Sequence, residues 1–323
     1  MRSNSVFLKR YDEFAGVSDS AMSLDMPILG SIVENEPMAR YTSWRVGGPA
    51  DKLFRPQNID DLANYLSQEP QEKIYFLGLG SNVLIRDGGI RGTVVLTSNL
   101  LKGLDLATPT QVRAEAGVAC NKVAKFSAKN NLIGCEFLAG IPGTMGGALA
   151  MNAGAFGGET WDKVAAVETI DRQGNRHLRM PQEYEISYRS VSGPEQEWFV
   201  AAYLQLTPGD SEESTKRIKQ LLAKRNETQP TNKPNCGSVF RNPDQDFSAR
   251  LIEMAGLKGY CIGDACVSEK HANFIVNMGK AKAADIEALI TRVAETVEKI
   301  HSIKLVREVH ILGEPLEQMS EEQ

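Results

Sequence analysis

Residues 140–159 read GIPGTMGGALAMNAGAFGGE, and seven of the twenty are glycine. A turn needs one or two. Seven imply either a loose linker or a backbone that something large lies against. A flexible linker alternates glycine with serine, whereas here the glycines are interleaved with Ile141, Thr144, Met145, Leu149, Met151, Asn152 and Phe156. The pattern predicts a folded loop in which apolar anchors pack down and glycines leave backbone amides exposed. Such a loop can lie along a pyrophosphate, with Thr144 and Asn152 as side-chain donors. The competing reading is tight packing between neighbouring strands.

Upstream lies a second glycine loop, GLGSN at 78–82, between the strand-like runs IYFL and VLI. A dinucleotide fingerprint would need glycine at position 83, where there is valine, and a helix next. No G-x-x-x-x-G-K-[ST] occurs. The loop is therefore neither a Rossmann nor a P-loop phosphate site. It is either a glycine-rich hairpin or a nest of backbone amides that binds anions. Two such loops in adjacent parts of one domain suggest one long, doubly charged ligand of dinucleotide size.

Around these loops, IDDLANYLSQ reads as a short helix with Leu62 and Leu66 on one face, TVVL and VRAEAGVA as strands, and CNKVAKFSAKNN as a helix ending at Asn130–Asn131. AAVETIDRQGNRHLRM predicts a β-hairpin, and WFVAAYLQL a strand. After Asp210 come helical patterns: SEESTKRIKQLLAKRNETQ with Ser211 or Ser214 as N-cap, FSARLIEMAG stopped by Gly256, and AKAADIEALITRVAETVEKI with Ile286, Leu289, Ile290, Val293, Val297 and Ile300 on one stripe. NFIVN and LVREVHIL read as strands. Residues 1–36 carry little pattern and are taken as an N-terminal extension, 37–210 as one domain with a softer division near 100, and 211–323 as a C-terminal domain.

The 323 residues are 42% hydrophobic and 24% charged, ordinary for a chain that buries a core. A net charge of −5 argues against bulk nucleic-acid binding but leaves room for anionic small ligands. The five cysteines, at 120, 135, 236, 261 and 266, show no C-x-x-C spacing, so no metal site is expected; they read as buried free thiols of a reducing cytosol. The N-terminus lacks a signal-peptide run, and nowhere are there ~18 consecutive apolar residues. A soluble, cytoplasmic monomer is expected.

Several ordered segments together make the chain resemble the MurB family, the UDP-N-acetylenolpyruvoylglucosamine reductases of bacterial cell-wall synthesis, over roughly 37–314. They are YTSWRVGGPA (41–50), GLGSNVLIRDGG (78–89), AGIPGTMGGALAMNAGAFGGE (139–159), YRS (188–190), GSVFRNP (237–243), HANFIVN (271–277) and EVHILG (308–313). The resemblance implies an α+β fold: a bipartite FAD-binding domain of the vanillyl-alcohol-oxidase (PCMH) type, then a C-terminal α+β substrate-binding domain. It implies noncovalent FAD, NADPH as hydride donor, and UDP-N-acetylglucosamine enolpyruvate as substrate. None of the four histidines, 177, 271, 301 and 310, falls in the glycine loops, so no tether to FAD is expected. The cofactor contacts implied are Gly78, Gly80, Ser81 and Asn82 in the first loop, and Gly140, Ile141, Pro142, Gly143, Thr144, Gly146, Gly147, Asn152 and Gly154 in the second.

The implied reaction delivers hydride to the terminal enolpyruvyl carbon. Charge then develops toward the substrate carboxylate and must be met by a prepositioned cation or donor. The neighbouring carbon needs a proton. By the resemblance, Ser238 in GSVFRNP donates that proton, Arg189 in YRS faces the carboxylate, and Glu308 in EVHILG orients or protonates it. Without that context Ser238 reads as a turn serine, Arg189 as a surface arginine, and Glu308 as a solvent-facing strand residue. Lys224, Arg225, Lys233, Arg241, Asn242 and His271 are candidates for holding the UDP portion. YRSVSGPEQEWFV runs almost directly into the next strand, without the tyrosine-bearing insertion of some relatives, as in the shorter, type II subclass. Another flavin oxidase on the same fold, and a nucleotide-sugar sensor without turnover, are the alternatives.

Overall fold

The structure, a computed structural model, describes residues 27–69 and 71–316. Residues 1–26 of the expected extension lie outside the described residues. Its last part is not an extension: Ser31–Pro37 is a strand, antiparallel to Pro49–Arg55. The strand is at a sheet edge and largely exposed, so it carries no alternating apolar signal to read.

The first sheet continues with Ile90–Leu96, parallel to Pro49–Arg55, and Ile74–Leu77, parallel to Ile90–Leu96. The helix Ile59–Gln68 begins at Asn58, whose side chain accepts from the Asp61 amide. It presses Leu62 and Leu66 against Phe54 and Val95. A second sheet of five antiparallel strands has the order Arg176–Arg179, Val164–Asp171, Glu197–Gln205, Gln111–Glu115, Leu104–Thr108. Helices Cys120–Lys129 and Met145–Ala150 pack on it.

The helix Ser211–Thr228 corrects two expectations. Its cap is Asp210, which accepts from the Glu213 amide, and not Ser211 or Ser214. It also belongs with what precedes it: Ile218 and Leu222 join the core of the second sheet, and Ser214 Oγ donates to Glu136. A packing boundary therefore falls after this helix and not at Asp210. The change to helical patterns after Asp210 marked the helix as new, but its apolar stripe had no partner visible in sequence.

The last core packs the helix Ala283–His301 against three short strands, Cys261–Ile262, Ala265–Val267 and Ile275–Asn277. The predicted stripe is buried except Ile300, which is 53% exposed beyond the end of the packed surface. Cys261 and Cys266 face each other across the first two strands and form a disulfide, so two of the five expected free thiols are paired. Their proximity follows from a hairpin that leaves four residues between them. Cys120, Cys135 and Cys236 are buried and free.

This last unit is stitched into the first. Trp44 is fully buried in its core, donating from Nε1 to the Ile275 carbonyl at 2.7 Å, and Asn277 Nδ2 returns a bond to the Trp44 carbonyl at 2.9 Å. Val83–Ile85 pairs in parallel with His310–Leu312. The loop at 78–82 therefore passes from one sheet to another and is not a hairpin. No helix among the described residues is long and apolar enough to cross a membrane.

Candidate active site

Where these units meet is a cavity of ≈ 600 Å³. Its walls come from the 78–82 loop, the glycine-rich segment, the Tyr188–Arg189 hairpin tip, the Ser238 loop and the chain at 308–312. Arg189, Ser238 and Glu308, remote in sequence, all line it.

Arg189 sits in a two-residue turn between Glu185–Ser187 and Ser190–Ser192, at φ +55. Its Nη1 donates to the Asn152 carbonyl at 3.1 Å and its Nη2 to the Gly154 carbonyl at 3.0 Å. Its Nε lies 3.3 Å from Glu308 Oε1. Glu308 stands just before the strand His310–Leu312, not within it. Its amide donates to the Val239 carbonyl at 2.8 Å and its carbonyl accepts from Asn82 Nδ2 at 3.2 Å, fixing it between the Ser238 loop and the 78–82 loop. Burial pushes the Glu308 carboxyl above the usual carboxylate range, and the charges of Arg189 and Arg241 pull it back only in part. The site thus sets a fixed guanidinium beside a carboxyl that holds its proton unusually well, an arrangement suited to receiving a second carboxylate.

Ser238 follows Gly237, which takes φ +73 to make the turn. Asn273 holds the next two residues: its carbonyl accepts from the Val239 amide at 2.9 Å, and its side chain bonds Phe240 amide and carbonyl at 3.0 and 2.8 Å. Cys236 bonds the Gly80 and Val83 carbonyls at 3.6 Å, and burial pushes its thiol up to about 12. A thiol so held stays protonated and inert, so Cys236 ties the two loops together.

The glycines of the quoted stretch divide by what an added Cβ would meet. At Gly140, Gly146, Gly154 and Gly158 it would strike Phe156, Ala116, the Gly158 carbonyl and Phe137 at 2.5–2.9 Å. Those four are required by the chain's own packing. Gly143 and Gly147 are different: their nearest neighbours are at 3.4 and 3.9 Å, and both line the cavity. The chain's own packing does not require glycine at either position. Thr144 stands with them. It is 2% exposed, lines the cavity, and its Oγ1 has no partner. Buried hydroxyls are rarely left so.

A second cavity of ≈ 660 Å³ adjoins the first and shares Gly78, Leu79, Ser81 and Pro142 with it. Arg40, Arg45, Arg225 and Lys233 line it. Burial alone pulls Arg225 below the usual arginine range, the mark of a cation with no carboxylate beside it among the described residues. The two cavities share a wall of backbone amides and have cations along the second, which leaves room for an elongated ligand carrying phosphates. FAD is such a molecule.

Of the expected cofactor contacts, Gly78, Gly80, Ser81, Asn82, Gly140, Ile141, Pro142, Gly143, Thr144, Gly147 and Gly154 line the first cavity. Gly146 and Asn152 do not. Gly146 is pressed on Ala116, and the Asn152 side chain is occupied inside the fold. Of the substrate candidates only Asn242 lines this cavity. Arg241 is near enough to influence Glu308. Arg225 and Lys233 face the second cavity instead. Lys224 is exposed on its helix, and His271 is one layer back, its ring edge-on to Phe274 at 4.7 Å. His310 was missed. It lines the cavity, with Nε2 3.0 Å from Met151 Sδ. The alternation of an extended chain, which puts i and i+2 on one side, would have placed it beside Glu308. Only Gly193–Gln196 separate the Arg189 hairpin from the strand Glu197–Gln205, so no insertion is accommodated there.

Comparison with known proteins agrees with this architecture. The family model for the UDP-N-acetylenolpyruvoylglucosamine reductase C-terminal domain matches residues 229–312, and that for an FAD binding domain matches 50–178. The UDP-N-acetylenolpyruvoylglucosamine reductase of Methylococcus capsulatus is 56% identical over 299 residues, covering 92% of this chain and 98% of the relative. That of Legionella pneumophila (strain Corby) is 60% identical over 287 residues, 88% of this chain and 93% of its own. The crystal structure of the Thermus caldophilus reductase (MurB) superposes with a TM-score of 0.74 at 31% identity, covering 88% of this chain and 99% of that one. The fold joins an FAD-binding domain built on two sheets to a smaller α+β C-terminal domain, and the chain belongs to the UDP-N-acetylenolpyruvoylglucosamine reductase family.

Proposed function

We propose that the protein reduces UDP-N-acetylglucosamine enolpyruvate to UDP-N-acetylmuramate with NADPH, through noncovalently bound FAD. When bound, FAD supplies the relay of hydride from the nicotinamide to the enolpyruvyl double bond. The joined cavities are the place for it, with Gly143 and Gly147 leaving room, Thr144 as a donor, and Arg225 and Lys233 beside the phosphates. Arg225 and Lys233 share the second cavity with the 78–82 loop, which favours the cofactor's phosphates over the substrate's diphosphate as their partner.

The residues of the chain then have distinct tasks. Arg189 meets the substrate carboxylate and stabilises the charge that develops on it. Glu308, whose carboxyl burial shifts upward, orients or protonates the same carboxylate. Ser238 gives a proton to the carbon next to the one receiving hydride. The observation that carries the reading is that Arg189, Ser238 and Glu308 line one cavity together with both glycine loops.

The test separates two half-reactions under anaerobic conditions. Ser238→Ala is expected to leave reduction of the bound flavin by NADPH nearly intact. Its reoxidation by the enolpyruvyl substrate should slow by on the order of 10²–10⁴, the scale of a lost general acid. Equal slowing of both half-reactions would remove Ser238 from the role of proton donor. Recovery of the yellow colour only with oxygen would favour an oxidase.

A further inference from the structure

Asn152 has an unusual setting for a residue that touches no ligand-sized space. It is 2% exposed and adopts φ +40, a left-handed backbone that side chains other than asparagine and aspartate seldom take. Its polar side-chain atoms are all engaged. Nδ2 donates to Glu159 Oε2 at 2.8 Å and to the Ser187 carbonyl at 3.2 Å, while Oδ1 accepts from the Trp161 amide at 3.2 Å.

These partners surround Arg189. Ser187 pairs with Ser190 and closes the turn that carries the arginine. The Asn152 carbonyl itself accepts from Arg189 Nη1 at 3.1 Å, and Gly154, two residues on, accepts from Nη2 at 3.0 Å. The second oxygen of Glu159 lies 3.9 Å from Nη1. The hairpin is thus fastened beside its turn by the Asn152 amide, and its guanidinium is aimed by carbonyls whose direction the left-handed turn at Asn152 sets.

We propose that Asn152, together with Glu159, is the positioning device for Arg189, so that the arginine presents its remaining donors to a ligand carboxylate. This rests on the reading of Arg189 as the carboxylate-facing cation. Neither Asn152 nor Glu159 lines the cavity, so each acts on a ligand only through its neighbours, among which Arg189 is the one that discriminates by charge.

Calorimetric titration of the oxidised holoenzyme tests it with two ligands that differ by the carboxylate: UDP-N-acetylmuramate, which has it, and UDP-N-acetylglucosamine, which does not. Asn152→Asp keeps Oδ1 as acceptor and tolerates the backbone, but removes both donors and sets a second carboxylate against Glu159. It should weaken the carboxylate ligand by about tenfold, the scale of one disturbed charge-assisted hydrogen bond, and leave the other ligand unchanged. Asn152→Asp with Glu159→Gln restores an amide–carboxylate pair with its direction reversed and should recover part of that loss. Should Asn152→Asp fail to fold, Glu159→Gln alone carries the same test, with a smaller carboxylate-selective loss expected.

Arg189→Lys in the same titration separates the two ideas. If it weakens neither ligand, the reading of Arg189 is wrong. If it weakens the carboxylate ligand while the Asn152 and Glu159 variants weaken both ligands equally, or neither, Arg189 keeps its role and the positioning proposal is overturned.

Discussion

Two glutamates that face arginines in this molecule, Glu168 buried and Glu308 half-buried, are held in opposite ways. Glu168, on the second sheet, has a side chain 1% exposed. Arg113 grips both its oxygens, Nε at 2.7 Å and Nη2 at 2.9 Å, with Arg176 at 3.1 Å and the Tyr203 hydroxyl at 2.7 Å. Glu308, in the cleft, has one arginine contact, at 3.3 Å. The Nη groups of that arginine are turned to backbone carbonyls. Burial pushes both carboxyls up. At Glu168 the hydrogen bonds and charge of Arg113, with Tyr203 and Arg176, outweigh burial and the net direction is down. At Glu308 burial wins. A pair satisfied from within is a structural tie. A pair left under-compensated beside a cavity is a site awaiting a third ionic group.

The sharpest way to break this comparison is at Glu308. Glu308→Gln should lower turnover by on the order of 10²–10⁴ through loss of a group acting on the reacting carboxylate. Stability should behave unlike that of an ordinary ion pair. The folded state holds the Glu308 proton more tightly than the unfolded chain does. This group therefore favours folding at low pH and costs stability as pH rises through its folded value. At pH 8 the variant is expected to be at least as stable as the parent in urea. A clear loss of stability there would make Glu308 a tie like Glu168.

Glu168→Gln is expected to show the reverse profile, with a stability loss of about 3 kcal/mol and unchanged turnover per folded molecule. The pH dependence follows from sign. A carboxyl with a lowered folded value contributes stability above its unfolded value, about 4.3, and loses it as pH falls through the folded one. Glu197 is also shifted down: burial raises it, but Arg179 and Thr169 outweigh that. Urea midpoints of the parent should fall on acidification below about pH 4.3, and those of Glu168→Gln should fall less steeply. Parallel curves would show that Glu168 does not carry the acid sensitivity.

Only some of this contrast was legible in the sequence. Periodicity found the helices at 59–68, 120–129 and 283–301 because each buries one stripe on a neighbour. It did not find the edge strand Ser31–Pro37, which buries almost nothing, or the Asp210 cap, which competed with two serines of equal propensity. Arg189, Ser238 and Glu308 were named through motif resemblance; no local signal separates them from turn and surface residues. Asn152 was misassigned for a physical reason. A polar residue in a glycine loop reads as a donor to a ligand, and nothing in the linear sequence shows that Ser187 and Trp161 return to occupy it. His310 was the reverse case: alternation with Glu308 pointed to it, but this histidine was weighed only as a flavin tether, and His271 was the one considered for the substrate.

The smallest effect is expected at the Cys261–Cys266 disulfide, which tests whether support of the cleft extends into the far hairpin. Closing so short a loop adds at most about 2 kcal/mol. Here the gain should be less, because Ile262 already pairs with Ala265, and Cys266 with Val276. The Ser238 loop is held from the same unit by Asn273, through three hydrogen bonds that do not involve the disulfide. Cys261→Ser, or reduction with dithiothreitol, should therefore shift the urea midpoint slightly and leave turnover alone. If turnover fell as well, the hairpin and the cleft would be one mechanical unit. The separation drawn between ties that hold the fold and charges that serve the cavity would then end at Asn273.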